Sequence, residues 1–113
     1  MTDARLPTSL WVEAHVRQCS TEGVPVYVAR RGDGSSGTVL LKLNQLEQGC
    51  RVLTQMRDME GRLGWLSALG KDLVAEEDAD AYLARAAARD PDLWVVEIED
   101  REGRHFLTEK VRS

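Results

Sequence analysis

The pattern of apolar and polar residues changes its period along the chain, and each change marks a boundary between predicted elements. Between residues 7 and 22 the apolar residues recur at helical spacing, and Thr8 or Ser9 is the predicted N-terminal cap. A second helical stripe covers residues 76–90 and ends there because Pro91 cannot continue a helix. The sequence therefore predicts two amphipathic helices.

Alternation of apolar and polar residues predicts strands elsewhere. The clearest run is residues 93–99, where Trp94, Val96 and Ile98 fall on one face and the opposite face is half apolar. Such a run is typical of a strand inside a sheet, and it is too short for a helix because Pro91 closely precedes it. Further strands are predicted at residues 24–31, 38–46, 50–57, 63–69 and 104–107, with a short helix as the alternative for residues 63–69.

The predicted elements follow the order α-β-β-β-β-α-β-β, which places the protein in the α+β class. Turn signals between the strands favour an antiparallel β-meander of about five to six strands, with the two helices packed on it. The loop at residues 32–37 would close a hairpin between the first two strands, and the turn at residues 100–103 would start another. Pro25 lacks a backbone donor, so the first strand is expected at or near a sheet edge.

Length and composition agree with one globular domain over residues 1–113. The chain is 42% hydrophobic and 30% charged, which is ordinary for a folded domain that buries a single core. No apolar run approaches the roughly 18 to 20 residues of a membrane span, and no signal peptide is recognised. We therefore expect a cytoplasmic protein that does not enter a membrane, with Cys19 and Cys50 as free, buried thiols.

Charge is distributed unevenly along the chain. The net charge is −4, yet residues 72–103 alone carry three Arg against eleven Asp and Glu, which gives −8. A surface of this kind repels nucleic acid and attracts a basic partner, although solubility is its commonest explanation. We therefore expect no nucleic-acid partner.

Three acidic residues form a candidate metal site. Glu97 and Glu99 project from one face of the same predicted strand, and Asp92 shortly precedes it. Pro91-Asp92 followed by Glu97-Ile98-Glu99 resembles the motif of the PD-(D/E)xK nucleases, but Glu99 stands where those enzymes ordinarily carry Lys and the gap between the acids is shorter. The resemblance implies a divalent-metal-dependent hydrolase, and the alternative interpretation is a solvated strand face.

The glycine-rich loop at residues 32–37 is a candidate anion or nucleotide site. Its backbone N–H groups could face an anion, with Arg30, Arg31, Ser35 and Ser36 beside them. The loop lacks the G-K-[ST] ending of a P-loop, and a flexible hairpin loop explains its glycines more simply.

A zinc site is a further possibility. His15 and Cys19 are one helical turn apart, and Cys50 with His105 would complete a Cys₂His₂ set. The local C-x₂₋₄-C pair of structural zinc sites is missing, and an apolar helix face favours a core histidine and a buried thiol. We therefore expect no bound metal and no cofactor.

Three stretches together carry a family resemblance: ARLPTSLWVEAHVR, YVARRGDGSSGTVLLKLN and DADAYLARAAARDPDLWVVEIEDREGRHFL. They resemble the domain-of-unknown-function family 1491, from about Arg5 to Leu107. The resemblance implies a small, single-domain bacterial protein, and it transfers no catalytic residues. Our leading hypothesis is a non-enzymatic interaction module, whose acidic surface or unpaired sheet edge meets a partner protein or a second copy of the chain.

Overall fold

The computed structural model describes residues 6–112 and contains two helices and six strands. Both helices and all the strands predicted before residue 100 are present, with bounds close to those expected. The elements are α1 (Thr8–Thr21), β1 (Val26–Arg30), β2 (Val39–Asn44), β3 (Cys50–Arg57), β4 (Leu63–Ser67), α2 (Glu76–Arg89), β5 (Trp94–Glu99) and β6 (Val111–Arg112). A short 3₁₀ helix, Leu46–Gln48, joins β2 to β3.

The sheet is mixed, so the prediction of a purely antiparallel meander is wrong. Its strand order is β1-β5-β2-β3-β4-β6, in which β5 runs parallel to β2 and β6 runs parallel to β4. The hairpin predicted between the first two strands does not form because β5 lies between them. β5 is buried on both faces, and an interior position between two strands leaves less of its apolar surface in water than an edge position would. The expected edge position of β1 beside Pro25 is confirmed.

The return strand predicted at residues 104–107 is also wrong. Phe106 adopts a φ of 59°, which lies in the left-handed region and interrupts an extended chain. The turn before it is present, since the Gly103 nitrogen donates to the Asp100 carbonyl at 2.9 Å. The chain then reaches β6, where Val111 is the partner of Trp65 on β4.

The two helices cover opposite faces of the sheet and so create two apolar cores. Trp94, Val96 and Ile98 of β5 point towards α1, whereas Leu93 and Val95 point towards α2, which confirms the predicted alternation. Full burial of each such side chain contributes about 1.5 to 3 kcal/mol to folding. The α1 core also contains Val12, Cys19, Leu41, Leu43, Leu53 and Trp65, and the α2 core contains Leu40, Cys50, Val52, Ala79 and Leu83.

The loop at residues 32–37 closes the start of α1. The Thr8 and Ser9 nitrogens donate to the carbonyls of Ser35 and Gly34 at 3.2 and 2.9 Å. The predicted side-chain cap is therefore replaced by backbone carbonyls, which satisfy N–H groups that a helix end leaves unpaired. The loop is also tied to β5, because the Trp94 indole nitrogen donates to the Asp33 carbonyl at 2.7 Å.

Candidate functional site

A buried lysine lies at the centre of the acidic surface. Lys42 of β2 is only 4% exposed, and its ammonium group contacts Glu76 at 2.8 Å, Asp80 at 2.7 Å and Glu97 at 3.5 Å. Lys42 and Glu97 are neighbours because β2 and β5 pair in that register, and the first turns of α2 bring Glu76 and Asp80 above them. We call Lys42 with Glu76, Asp80 and Glu97 the Lys42 cluster.

Two further side chains lie beside the Glu97 carboxylate. The Asn44 amide donates to the Glu97 carboxylate at 3.2 Å and to Glu76 at 3.4 Å. On the other side, Tyr27 of β1 is the cross-strand partner of Glu97, and the interaction of its hydroxyl with the Glu97 carboxylate, with burial and the nearby acids, raises the pKa of Tyr27 to about 12. A carboxylate that is 6% exposed is tolerated here because each neighbouring strand supplies a polar partner.

The environment of Lys42 keeps it charged. Burial acts to lower the pKa of Lys42, but hydrogen bonds to Asp80 and Glu76 and the charge of Glu97 outweigh burial, so the pKa is raised. An amine must lose its proton before it can act as a nucleophile or base, so this arrangement opposes such chemistry at neutral pH. Sequence reasoning missed Lys42, although a charged residue inside the apolar run of residues 39–43 was a usable signal.

The structure separates Asp92 from the two glutamates. Glu97 and Glu99 lie on one strand face as predicted, but Asp92 precedes the opposite end of β5, roughly 16 Å from Glu97 at the usual rise of a strand. The backbone of Asp92 holds the loop at residues 32–37, since its carbonyl accepts from the Asp33 nitrogen at 3.0 Å. Within residues 6–112, no group of three or more His, Cys, Asp or Glu side chains is arranged to hold a metal ion.

The candidate anion loop already contains a negative group of its own. The Asp33 carboxylate accepts from the backbone nitrogens of Ser35 and Ser36 at 3.2 and 2.8 Å, and the Ser36 hydrogen bond is the main reason its pKa is lowered. Arg30 donates to the carbonyls of Pro91 and Leu93, and Arg31 lies 4.9 Å from the centre of the Trp94 ring. The four predicted residues therefore do not converge on a common point.

Ser35 and Ser36 instead line a cavity of about 820 Å³ beside the start of α1. Arg57 at the end of β3 and Arg62 in the turn that follows also line it. Arg57 donates to the Gly61 carbonyl at 2.6 Å, and Arg62 forms ion pairs with Asp58 and Glu60. These contacts use much of the positive charge that an anionic ligand would need.

The proposed zinc ligands are divided between the two faces of the sheet. Cys19 lies in the α1 core and Cys50 in the α2 core, and both are free thiols as predicted. His15 does approach His105, but its Nε2 donates to the His105 carbonyl at 2.8 Å rather than sharing a ligand with that ring. His15 also stacks on Trp11 at 4.8 Å, which is the packing of a core histidine.

Acidification from pH 7 to pH 5 is expected to destabilise the fold through His15. Burial lowers the pKa of His15, and the opposing effect of the His105 carbonyl is smaller. The unfolded chain therefore protonates His15 at a higher pH than the folded chain does. The stability that neutral His15 contributes to the fold is fully present above about pH 6.5 and is lost as the pH falls below that value.

Urea unfolding at the two pH values would measure this loss. In the variant His15→Gln the pH-dependent loss should be smaller, because Gln can still donate to the carbonyl but does not titrate. His105, whose pKa burial also lowers, accounts for the part that remains. An unchanged pH dependence in His15→Gln would contradict the assignment.

The outer edge of β1 is an open part of the sheet. β1 pairs with β5 on one side, and within residues 6–112 no strand pairs with its other side. The Glu99 nitrogen donates to the Pro25 carbonyl, so these two residues form a hydrogen-bonded pair of the antiparallel ladder. Hydrogen-bonded and non-hydrogen-bonded pairs alternate along such a ladder. The N–H and C=O groups of Tyr27 therefore point towards β5, whereas those of Val26 and Val28 point outward.

A groove of about 440 Å³ runs between α1 and this edge. Its floor is apolar and consists of Val12, Val16, Val28 and Trp94. Charged side chains border it, namely Glu13, Arg17 and Arg31. The edge therefore combines outward-facing backbone groups with an adjacent apolar surface, a combination that the sequence alone did not reveal.

Comparison with known proteins identifies relatives along nearly the whole chain. Residues 6–108 match the model of a protein family described as "Protein of unknown function (DUF1491)". A crystal structure of a DUF1491 family protein from Caulobacter crescentus is 44% identical, with a TM-score of 0.86, and the match covers 95% of this chain and 99% of that one. An NMR structure of a DUF1491 family protein from the same organism is 44% identical, with a TM-score of 0.83, covering 96% and 97% of the two chains.

A more distant relative has the same fold. The solution structure of protein Atu0922 from A. tumefaciens is 25% identical, with a TM-score of 0.76, and the match covers 93% of this chain and 94% of that one. No protein with a curated description matches the chain. Among the described residues, no helix is long and apolar enough to cross a membrane. The family match and the shared fold together show that this chain belongs to the DUF1491 family, a family of unknown function.

Proposed function

We propose that the protein is a non-enzymatic interaction module that binds an extended segment of a partner protein along β1. The observation that carries this proposal is the open β1 edge, where Val26 and Val28 turn their backbone groups outward. An extended peptide can satisfy those groups by adding a strand to the sheet. The apolar groove beside the edge offers the side-chain contacts that such a peptide needs for specificity.

The chemistry of the Lys42 cluster supports a binding role over a catalytic one. The Glu97 carboxylate is paired with Lys42, accepts a hydrogen bond from Asn44 and lies opposite Tyr27 on β1, and the Lys42 ammonium stays charged. An acid or base in catalysis needs a pKa near the working pH and an accessible proton. The Lys42 cluster instead holds α2 against β2 and β5, and β5 is the strand next to the proposed binding edge.

Peptide selection on the immobilised protein tests the proposal. We expect peptides selected from a random displayed library to slow amide hydrogen exchange at Val26 and Val28, because their N–H groups become hydrogen-bonded in the added strand. Protection that maps to another surface, or a selection that yields no binder, would contradict the proposal.

A pair of substitutions at Val28 isolates the backbone contribution. Val28→Pro removes the outward N–H, and proline is tolerated at edge positions whose N–H is unpaired, so β1 should remain folded. Val28→Ala shortens the same side chain but keeps the N–H. We expect Val28→Pro to weaken binding at least about 10-fold relative to Val28→Ala, since a lost hydrogen bond and a steric block act together. Equal binding by the two variants would exclude strand addition.

A further inference from the structure

We infer that the segment bound along β1 alternates apolar and basic residues. This inference rests on the proposed function and specifies its partner. Successive side chains of an added strand point to opposite faces of the sheet, so one set enters the α1 side and the other enters the α2 side. The two sides of the β1 edge differ in chemistry, and the segment must match both.

The α1 side selects apolar residues. Val26 and Val28 point to this side and pack against the α1 core, and the groove continues over Val12, Val16 and Trp94. A side chain of the added strand that lies beside Val28 would be buried against these residues. Each aliphatic side chain placed there strengthens binding by removing apolar surface from water.

The α2 side selects basic residues. Tyr27 points to this side and is 48% exposed, because α2 packs over β2 and β3 and leaves β1 uncovered. In the Lys42 cluster three carboxylates surround one ammonium group, so negative charge remains in excess. Glu99 adds another carboxylate, for which no ion pair is found among the described residues. A lysine or arginine of the added strand would meet this field beside Tyr27.

A second copy of the chain fits the edge less well than a separate partner. If the second copy paired antiparallel with β1, its Tyr27 and Ala29 would lie on the acidic side, and neither residue is a cation. Arg30, the nearest basic residue, is held by the carbonyls of Pro91 and Leu93. The charge of the edge therefore favours a segment of another protein that carries free cations at alternate positions.

Three nine-residue synthetic peptides provide the test: alternating Val and Lys, alternating Val and Glu, and alternating Val and Ser. Binding is followed by NMR titration of the full-length protein at low and at physiological salt, with β1 amide exchange as the position readout. We expect the Val/Lys peptide to protect Val26 and Val28 and to bind about 10-fold or more tightly than the Val/Glu peptide. The preference should decrease with added salt, because screening weakens exposed charge pairs.

A matched pair of charge reversals separates local from general attraction. Glu99→Lys lies beside β1, whereas Asp72→Lys makes the same charge change in the exposed connection before α2. We expect Glu99→Lys to reduce the preference for the Val/Lys peptide at least about 3-fold more than Asp72→Lys does. Equal effects of the two variants would show non-specific attraction and overturn the inference.

The outcomes distinguish this inference from the proposed function. If all three peptides protect β1 equally, strand addition stands but the basic alternation is wrong. If no peptide changes β1 and selection from the random library also fails, both are wrong. If the protein alone forms a dimer of two chains with protected Val26 and Val28 amides, the occupant is a second copy, and the inference is overturned.

Discussion

Replacing Gly37 with alanine is expected to lower the free energy of unfolding by about 3 kcal/mol, a large effect for adding one methyl group. A Cβ atom at this position would lie 2.2 Å from the Asp92 carbonyl oxygen and 2.9 Å from Trp94 Cδ1. The obstacle is backbone and a buried indole ring, so neither can move aside cheaply. The φ of Gly37 is not in the left-handed region, and the predicted cost is therefore purely steric.

Gly34 supplies the control because it lies in the same loop. A Cβ atom there would be 3.7 Å from the Ser9 hydroxyl, an ordinary contact, and Gly34→Ala should change stability by less than about 0.5 kcal/mol. Denaturant unfolding of the two variants measures both values. If Gly37→Ala were as stable as Gly34→Ala, the close approach of this loop to Asp92 would be incorrect.

Replacing Lys42 with methionine is expected to cost about 3 kcal/mol of stability. The substitution preserves much of the side-chain volume but leaves the Glu97 carboxylate buried without its cation. Removing one partner of a buried ion pair is strongly destabilising because the remaining charge is poorly solvated. Glu76 and Asp80 are about half exposed and can turn to water, so they add little to the cost.

A double-mutant cycle identifies the source of this cost. When Glu97→Gln is added to Lys42→Met, the buried charge is gone, and we expect the double variant to be more stable than Lys42→Met alone. Lys71→Met, at an exposed lysine, should change stability by less than about 0.5 kcal/mol. If Glu97→Gln made Lys42→Met less stable still, Glu97 would not be the group that Lys42 neutralises.

The sequence by itself determined the local elements. The helical stripe of α1, the acidic first turn of α2 and the two-sided alternation of β5 are set by the spacing of neighbouring residues. Their bounds were therefore close to the structure, and Pro25 correctly placed β1 at an edge because the missing donor is a property of that residue alone. The prediction that Cys19 and Cys50 are free, buried thiols is also confirmed.

Only the tertiary structure decided which strands are neighbours. Periodicity records how each strand divides its two faces but not what pairs with its edges, so the insertion of β5 between β1 and β2 could not be predicted from it. The same long-range pairing brings Lys42 to Glu97 and leaves the Val28 edge open. The Lys42 cluster and the β1 edge depend on contacts between residues far apart in the chain, and such contacts are fixed by the packing of the whole core and not by local spacing.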